Sequence, residues 1–163
     1  ISGSADFSQG GGSTLTRAIR YPPMPEAPAG KEHVWAGEHA DINLITALPR
    51  ATAPGLQVKV DDGWVDATPP DNAVIINTGI MLERLTNGVI PIGWHRVVAA
   101  PGFEGERYSV VQFCHPRPWT VLSPVPSCCT DENPQRFAAI SAEDALDEVL
   151  YEINLVETAR RVG

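Results

Sequence analysis

The chain has 163 residues, 43% of them hydrophobic, enough to bury the core of one domain. Its formal net charge is −8 and no basic cluster interrupts it, which argues against a nucleic-acid partner. No apolar run approaches a membrane span, no secretory pattern opens the chain, and three cysteines without metal spacing, Cys114, Cys128 and Cys129, suit a reducing cytoplasm better than a disulfide framework.

Residues 1–14 are rich in Gly and Ser, lack a Gly-Lys-Ser/Thr phosphate loop, and read as an entry segment. Thr14 to Tyr21 alternates as a strand and stops at Pro22-Pro23. Residues 22–32 are a loop rich in Pro and Ala. Val34 to Thr46 follows, with His33 and Trp35 at its start; His33 reads as a solvated loop residue, and Trp35 as a packing residue or part of a substrate mouth. Leu56–Val60, a turn at Asp61-Asp62-Gly63, and Trp64-Val65 read as a hairpin. Ala73–Asn77 is a buried strand, and Ile80–Leu85 a short helix ended by Asn87-Gly88. Glu106–Phe113 alternates as another strand. The stretch 116–134, rich in Pro, is a surface loop. Ser141-Ala142-Glu143-Asp144 is a capping-box signature before Leu146, Val149, Leu150 and Ile153 at helical spacing; that helix is expected to pack on the outside of a sheet.

Three of these segments carry chemistry. In an extended strand, residues two apart share a face, so His39 and Asp41 present an imidazole and a carboxylate to one point. The tripeptide alone, common by chance, suits a solvated polar turn better than a metal site. His95, in Gly93-Trp94-His95-Arg96-Val97-Val98, is the candidate for a second imidazole. Two His and one carboxylate on one face of a metal leave the opposite positions open, the arrangement of non-haem Fe(II) oxygenases. Downstream, Arg107 and Ser109 share one strand face, where a guanidinium fork and a hydroxyl suit a carboxylate.

With these pieces in order, the sequence resembles the isopenicillin N synthase-like family of Fe(II)/2-oxoglutarate-dependent oxygenases. The likeness rests on Arg20-Tyr21-Pro22-Pro23, His39-Ala40-Asp41 with Leu44-Ile45-Thr46, Pro54-Gly55-Leu56-Gln57-Val58, Gly63-Trp64-Val65, Asn77-Thr78-Gly79, Leu85-Thr86-Asn87-Gly88, His95-Arg96-Val97 and Arg107-Tyr108-Ser109. It covers residues from about 15 to 116. Two positions depart from the family pattern. Ile19 stands where plant members often have Asn, and Ile80 where members usually have Asp.

Many short strands and turns with one terminal helix imply a double-sheet barrel. The resemblance sharpens this to a mainly β fold: a double-stranded β-helix, or jelly roll, with a short helix and a C-terminal α-helix. It implies that residues 1–163 form a single catalytic domain lacking an N-terminal helical region that relatives carry. It further implies that His39, Asp41 and His95 hold Fe(II), and that Arg107 and Ser109, helped by Tyr21, bind the far carboxylate of 2-oxoglutarate. The implied activity is a dioxygenase that consumes O2 and 2-oxoglutarate, releases succinate and CO2, and oxidises, most simply hydroxylates, a C–H bond of a small organic substrate. Two alternatives stay open. One is an isopenicillin N synthase-type oxidase whose clamp holds the substrate's own carboxylate. The other is a jelly-roll binding module with an occupied metal site and no turnover. Trp94, bulky before His95, is assigned equally to the substrate pocket and to outer-sheet packing.

Overall fold

The computed structural model describes residues 14–24, 33–100 and 102–152. The glycine-rich opening, most of the 22–32 loop and Ile153 lie outside the described residues.

Among the described residues, ten strands and two α-helices follow one another in short steps. They are β1 (Leu15–Tyr21), β2 (Val34–His39), β3 (Ile45–Pro49), β4 (Leu56–Val60), β5 (Gly63–Asp66), β6 (Val74–Thr78), α1 (Ile80–Leu85), β7 (His95–Val98), β8 (Arg107–Cys114), β9 (Val121–Leu122), β10 (Ile140–Ser141) and α2 (Ala142–Glu152). Eight of the strands form two four-stranded antiparallel sheets, ordered β1-β8-β3-β6 and β2-β7-β4-β5. This is the jelly-roll architecture expected from the many short strands.

The alternation of β8 shows how the sheets are sided. Arg107 and Val111 are buried while Tyr108, Val110 and Gln112 are exposed, so one strand supplies both a site wall and an outer surface. β6 is sided in the same way. It was expected to be buried throughout, yet Val74 and Ile76 are exposed, because β6 is an edge strand with one face to solvent. The β4–β5 hairpin closes through Val60 and Gly63 around Asp61-Asp62, with Asp61 at φ 51°, a left-handed conformation that Asp tolerates. Between β2 and β7 the register slips twice before His39 comes opposite His95. Such irregularities re-aim side chains, and here the two imidazoles come to lie beside each other.

An apolar core cluster lies outside the two sheets. Met81, Leu122, Ala142 and Ala145 are buried together, joined by Ile42, Leu44, Leu85, Ile140 and Leu146. Thus α2 rests on α1 and on the β9–β10 ribbon rather than on the back of a sheet, which corrects the expected packing. Its start is capped as the sequence indicates: the Asp144 N–H donates to Ser141 Oγ at 3.0 Å.

The loop expected over 116–134 contains the two-residue strand β9 and a 3-10 turn at Pro126–Cys128. Pro118 and Pro124 bracket the short ladder, since proline cannot donate to one. Side-chain bonding orders the rest. The buried Asn87 amide donates to the carbonyls of Asn133 and Pro134 at 3.2 and 3.1 Å, and its Oδ1 accepts from the Arg136 N–H at 2.8 Å. Residues without a strand or helix ladder therefore still satisfy their backbone groups.

Candidate active site

Between the two sheets lies a cavity of about 350 Å³, lined by residues of both. Its floor carries His39, Asp41 and His95, whose ligand-capable atoms lie within 4.8 Å of one another. The imidazoles of His39 and His95 stand 4.2 Å apart, centroid to centroid, at 53°. Asp41 and His95 are buried, at 7% and 6% exposure, while His39 is exposed. The group therefore has two enclosed members and opens at the third.

Hydrogen bonds fix which atoms face the gap. His39 Nδ1 lies 2.7 Å from Gly37 O, and His95 Nδ1 lies 3.0 Å from Gly93 O. A carbonyl only accepts, so an N–H on each Nδ1 satisfies these contacts and leaves Nε2 as the ligating nitrogen; Asn77 Nδ2 also lies 3.2 Å from His95 Nδ1. Asp41 Oδ2 accepts from Thr46 Oγ1 at 2.7 Å and from Asn77 Nδ2 at 3.0 Å, leaving Oδ1 for a cation. Thr46 is in turn held by Asn43, whose Nδ2 donates to Thr46 Oγ1 at 3.1 Å and to Ile45 O at 3.0 Å. Supporting bonds of this kind orient metal ligands and tune their basicity. Burial pushes the His95 imidazolium below its ordinary range; the Gly93 carbonyl and the Asp41 carboxylate oppose that shift and His39 adds to it. The result favours the neutral imidazole, the form that ligates metal.

Two glycines let this scaffold close. A Cβ on Gly79 would lie 2.0 Å from Asn43 O, so only glycine allows the start of α1 to pass the loop behind Asp41. There Gly79 N–H bonds Leu44 O and Ile80 N–H bonds Asp41 O, both at 2.9 Å. Ile80 therefore takes up the backbone role at this corner, and α1 begins without a side-chain cap. A Cβ on Gly93 would meet Asn77 Oδ1 at 2.1 Å, so Gly93 admits the amide that holds Asp41.

A second polar group stands farther along the same cavity. Arg107 is 4% exposed; its Nε donates to Ala53 O at 3.0 Å, and its Nη1 is buried without a partner. Ser109 Oγ is likewise buried without a partner. Tyr21 pairs with Arg107 across β1 and β8, and its ring centroid lies 4.8 Å from the guanidinium carbon. Trp35 continues the wall: its centroid is 5.5 Å from that of Tyr21, and its indole N–H donates to Pro22 O at 3.0 Å. Burial lowers the Arg107 pKa and the facing Tyr21 opposes that shift. A buried cation and hydroxyl without partners cost free energy unless a ligand meets them. Their chemistry calls for a carboxylate.

The structure brings together all six residues singled out in the sequence: His39, Asp41, His95, Tyr21, Arg107 and Ser109 line one cavity. Trp35 lines it too, whereas Trp94 does not and is 42% exposed. His33 is half-buried rather than fully solvated, and it does not line the cavity. Ile19 faces the cavity and has no polar side-chain atom to offer a ligand. Sequence reasoning gave no role to Thr46, Asn77 or Asn43. The available signal was polarity at inward positions of otherwise apolar strands.

Comparison with known proteins agrees with this geometry. The model of the 2OG-Fe(II) oxygenase superfamily matches residues 13–116. The chain is 31% identical over 131 residues to mugineic-acid 3-dioxygenase of Hordeum vulgare, covering 80% of this chain and 37% of that protein. It is 32% identical over 120 residues to a 1-aminocyclopropane-1-carboxylate oxidase of Musa acuminata, covering 72% and 37%. Among solved structures, a full-length Neurospora crassa protein in complex with alpha-KG and thymine superposes with a TM-score of 0.77 at 32% identity, covering 87% of this chain and 45% of that one. The chain thus spans about two fifths of the length of the curated relatives it matches. With the matched segment running through both the triad and the clamp strand, the chain belongs to the 2OG-Fe(II) oxygenase superfamily.

Proposed function

We propose that this protein is a non-haem Fe(II)- and 2-oxoglutarate-dependent oxygenase that hydroxylates a C–H bond of a small organic molecule, with release of succinate and CO2. The observation that carries the reading is one cavity holding both a triad of two His and one Asp and a buried Arg107–Ser109 pair with unpartnered polar atoms. In this reading His39 and His95 bind iron through Nε2 and Asp41 through Oδ1. Arg107 and Ser109 take the far carboxylate of 2-oxoglutarate, with Tyr21 closing over the guanidinium. That the similar Neurospora crassa protein was solved with alpha-KG supports the same assignment here.

Iron, when bound, supplies activation of O2 coupled to oxidative decarboxylation of the co-substrate. The chain's own groups do the positioning. Thr46 and Asn77 keep Asp41 turned toward the metal gap, and the two glycine carbonyls keep both Nδ1 protons away from it. Arg107 sets the direction from which 2-oxoglutarate enters, because the clamp and the triad share one cavity. Ile75, Leu48, Val97 and Val111 give the cavity apolar walls that limit water near the reacting centre. The substrate is a small molecule, in keeping with the cavity volume, and the protein acts in the cytoplasm.

The test is succinate release by the full-length protein with Fe(II), 2-oxoglutarate and O2 against a panel of small metabolites. Release that depends on all three and is lost in His95→Ala supports the reading. Metabolite oxidation without succinate assigns the clamp to the substrate instead.

A further inference from the structure

Three arginines among the described residues line the cavity: Arg17, Arg50 and Arg107. Arg50 is paired with Asp71, and Arg107 belongs to the carboxylate clamp. Arg17 has no carboxylate partner among the described residues; its guanidinium carbon lies 5.6 Å from the centroid of the Phe113 ring. Arg20, three residues on, is different: it pairs with Glu106 and does not line the cavity. The cavity itself offers one carboxylate among the described residues, Asp41, and that is already held by Thr46 and Asn77.

Arg17 stands too far along the strand to serve the co-substrate. The inward row of β1 runs Tyr21, Ile19, Arg17, and four residues of strand span about 13 Å. Across the pairing, Tyr21 faces Arg107, Ile19 faces Ser109 and Arg17 faces Val111. On β1, apolar Ile19 thus stands between Tyr21 at the clamp and a second cationic pole at Arg17. That second pole is not remote from the triad. Phe113 pairs with Thr46 across β8 and β3, and Thr46 holds Asp41. A molecule seated on Arg17 and Phe113 therefore shares the cavity with the triad and neighbours the strand residue that holds Asp41.

We propose that Arg17, backed by Phe113, determines substrate specificity by binding an anionic group, so that the substrate class is small carboxylic acids with an apolar body. The inference rests on the 2-oxoglutarate reading, since that co-substrate must occupy Arg107 for a second acid to need another partner. Arg17 supplies a planar, permanently charged fork, and Phe113 and Ile19 supply the apolar surface for the remainder.

The experiment uses the full-length protein loaded with Zn(II), which supports no turnover, and with saturating 2-oxoglutarate, so that the clamp is filled. Calorimetric titration compares 3-phenylpropanoate with 3-phenylpropanamide, which differ in charge and little in shape. The wild type is expected to bind the acid on the order of ten-fold more tightly than the amide. Arg17→Gln is expected to bind the two alike, with unchanged 2-oxoglutarate affinity and melting temperature. Equal affinities in the wild type, no binding of the acid, or a preference kept in Arg17→Gln would each overturn the proposal while leaving the co-substrate reading intact. Failure of the Zn(II) protein to bind 2-oxoglutarate would overturn both.

Discussion

Asp41 shows how much one carboxylate depends on its neighbours. Its Oδ2 is occupied by Thr46 and Asn77, which leaves its Oδ1 for a cation shared with the two imidazoles. Replacing Asn77 by Leu removes one donor and leaves Asp41 freer to rotate. Metal affinity is expected to fall by roughly 10- to 100-fold, the usual effect of losing a group that supports a ligand. Competition of the variant with a chelator measures it. Removal of a ligand itself is more severe: His39→Ala, Asp41→Ala and His95→Ala are each expected to abolish turnover and weaken Fe(II) binding while the far-ultraviolet circular dichroism stays that of the wild type. A variant with wild-type iron affinity and activity would remove its residue from the triad. Arg107-X-Ser109 was legible because a strand repeats every two residues, so spacing alone puts that pair on one face. His39-X-Asp41 was expected on the same ground, but β2 ends at His39 and Asp41 follows it, so the segment after the strand and not the strand repeat brings the two together. Thr46, Asn77 and Arg17 were not legible, because they reach the site through pairing register, which no local pattern states.

At the scale of elements, short local signals were readable and partners were not. Ser141 announced α2 by its capping pattern, and the structure has that cap. Ser141→Ala is expected to cost about 1 kcal/mol of stability with metal affinity unchanged, read by denaturant unfolding. The partner of α2 escaped because its apolar side suits a helix, a ribbon or a sheet back equally well; Met81 and Leu122 together decide the matter. β9 escaped because Pro-rich sequence hides a two-residue ladder. Gly79→Ala tests how α1 is tied to the site. Its Cβ meets Asn43 O at 2.0 Å, so the backbone behind Asp41 must move. A loss of about 1–3 kcal/mol is expected, together with weaker metal binding. Lost stability with unchanged metal affinity would show that the α1 corner does not position Asp41.

For the whole molecule, pH acts through one buried and one half-buried histidine. Burial lowers the pKa of His95 and of His115 below the ordinary 6.5, with Asp41 opposing both shifts in part. The unfolded chain then binds protons more readily than the fold does, so stability is full above pH 6.5 and declines as pH falls through that value. The metal-free protein is expected to show a falling melting temperature below that pH, and the decline should be shallower in His115→Gln. A decline of equal depth in that variant would assign the effect elsewhere.

The fold gathers the triad and the clamp into one cavity and places an apolar cluster under α2, so the space between the sheets is left for ligands. The central claim is that 2-oxoglutarate fills that space between Arg107 and the triad. Anaerobic titration of the full-length Fe(II) protein with 2-oxoglutarate, followed by visible absorption, tests it most directly. A weak charge-transfer band from the chelated keto acid is expected. Arg107→Ala should need tens to thousands of times more 2-oxoglutarate to reach it, since truncating one partner of a buried charge pair costs about 2–5 kcal/mol. Iron affinity should be largely retained in that variant. No band at any 2-oxoglutarate concentration, or a band that Arg107→Ala leaves at its wild-type midpoint, would contradict the account.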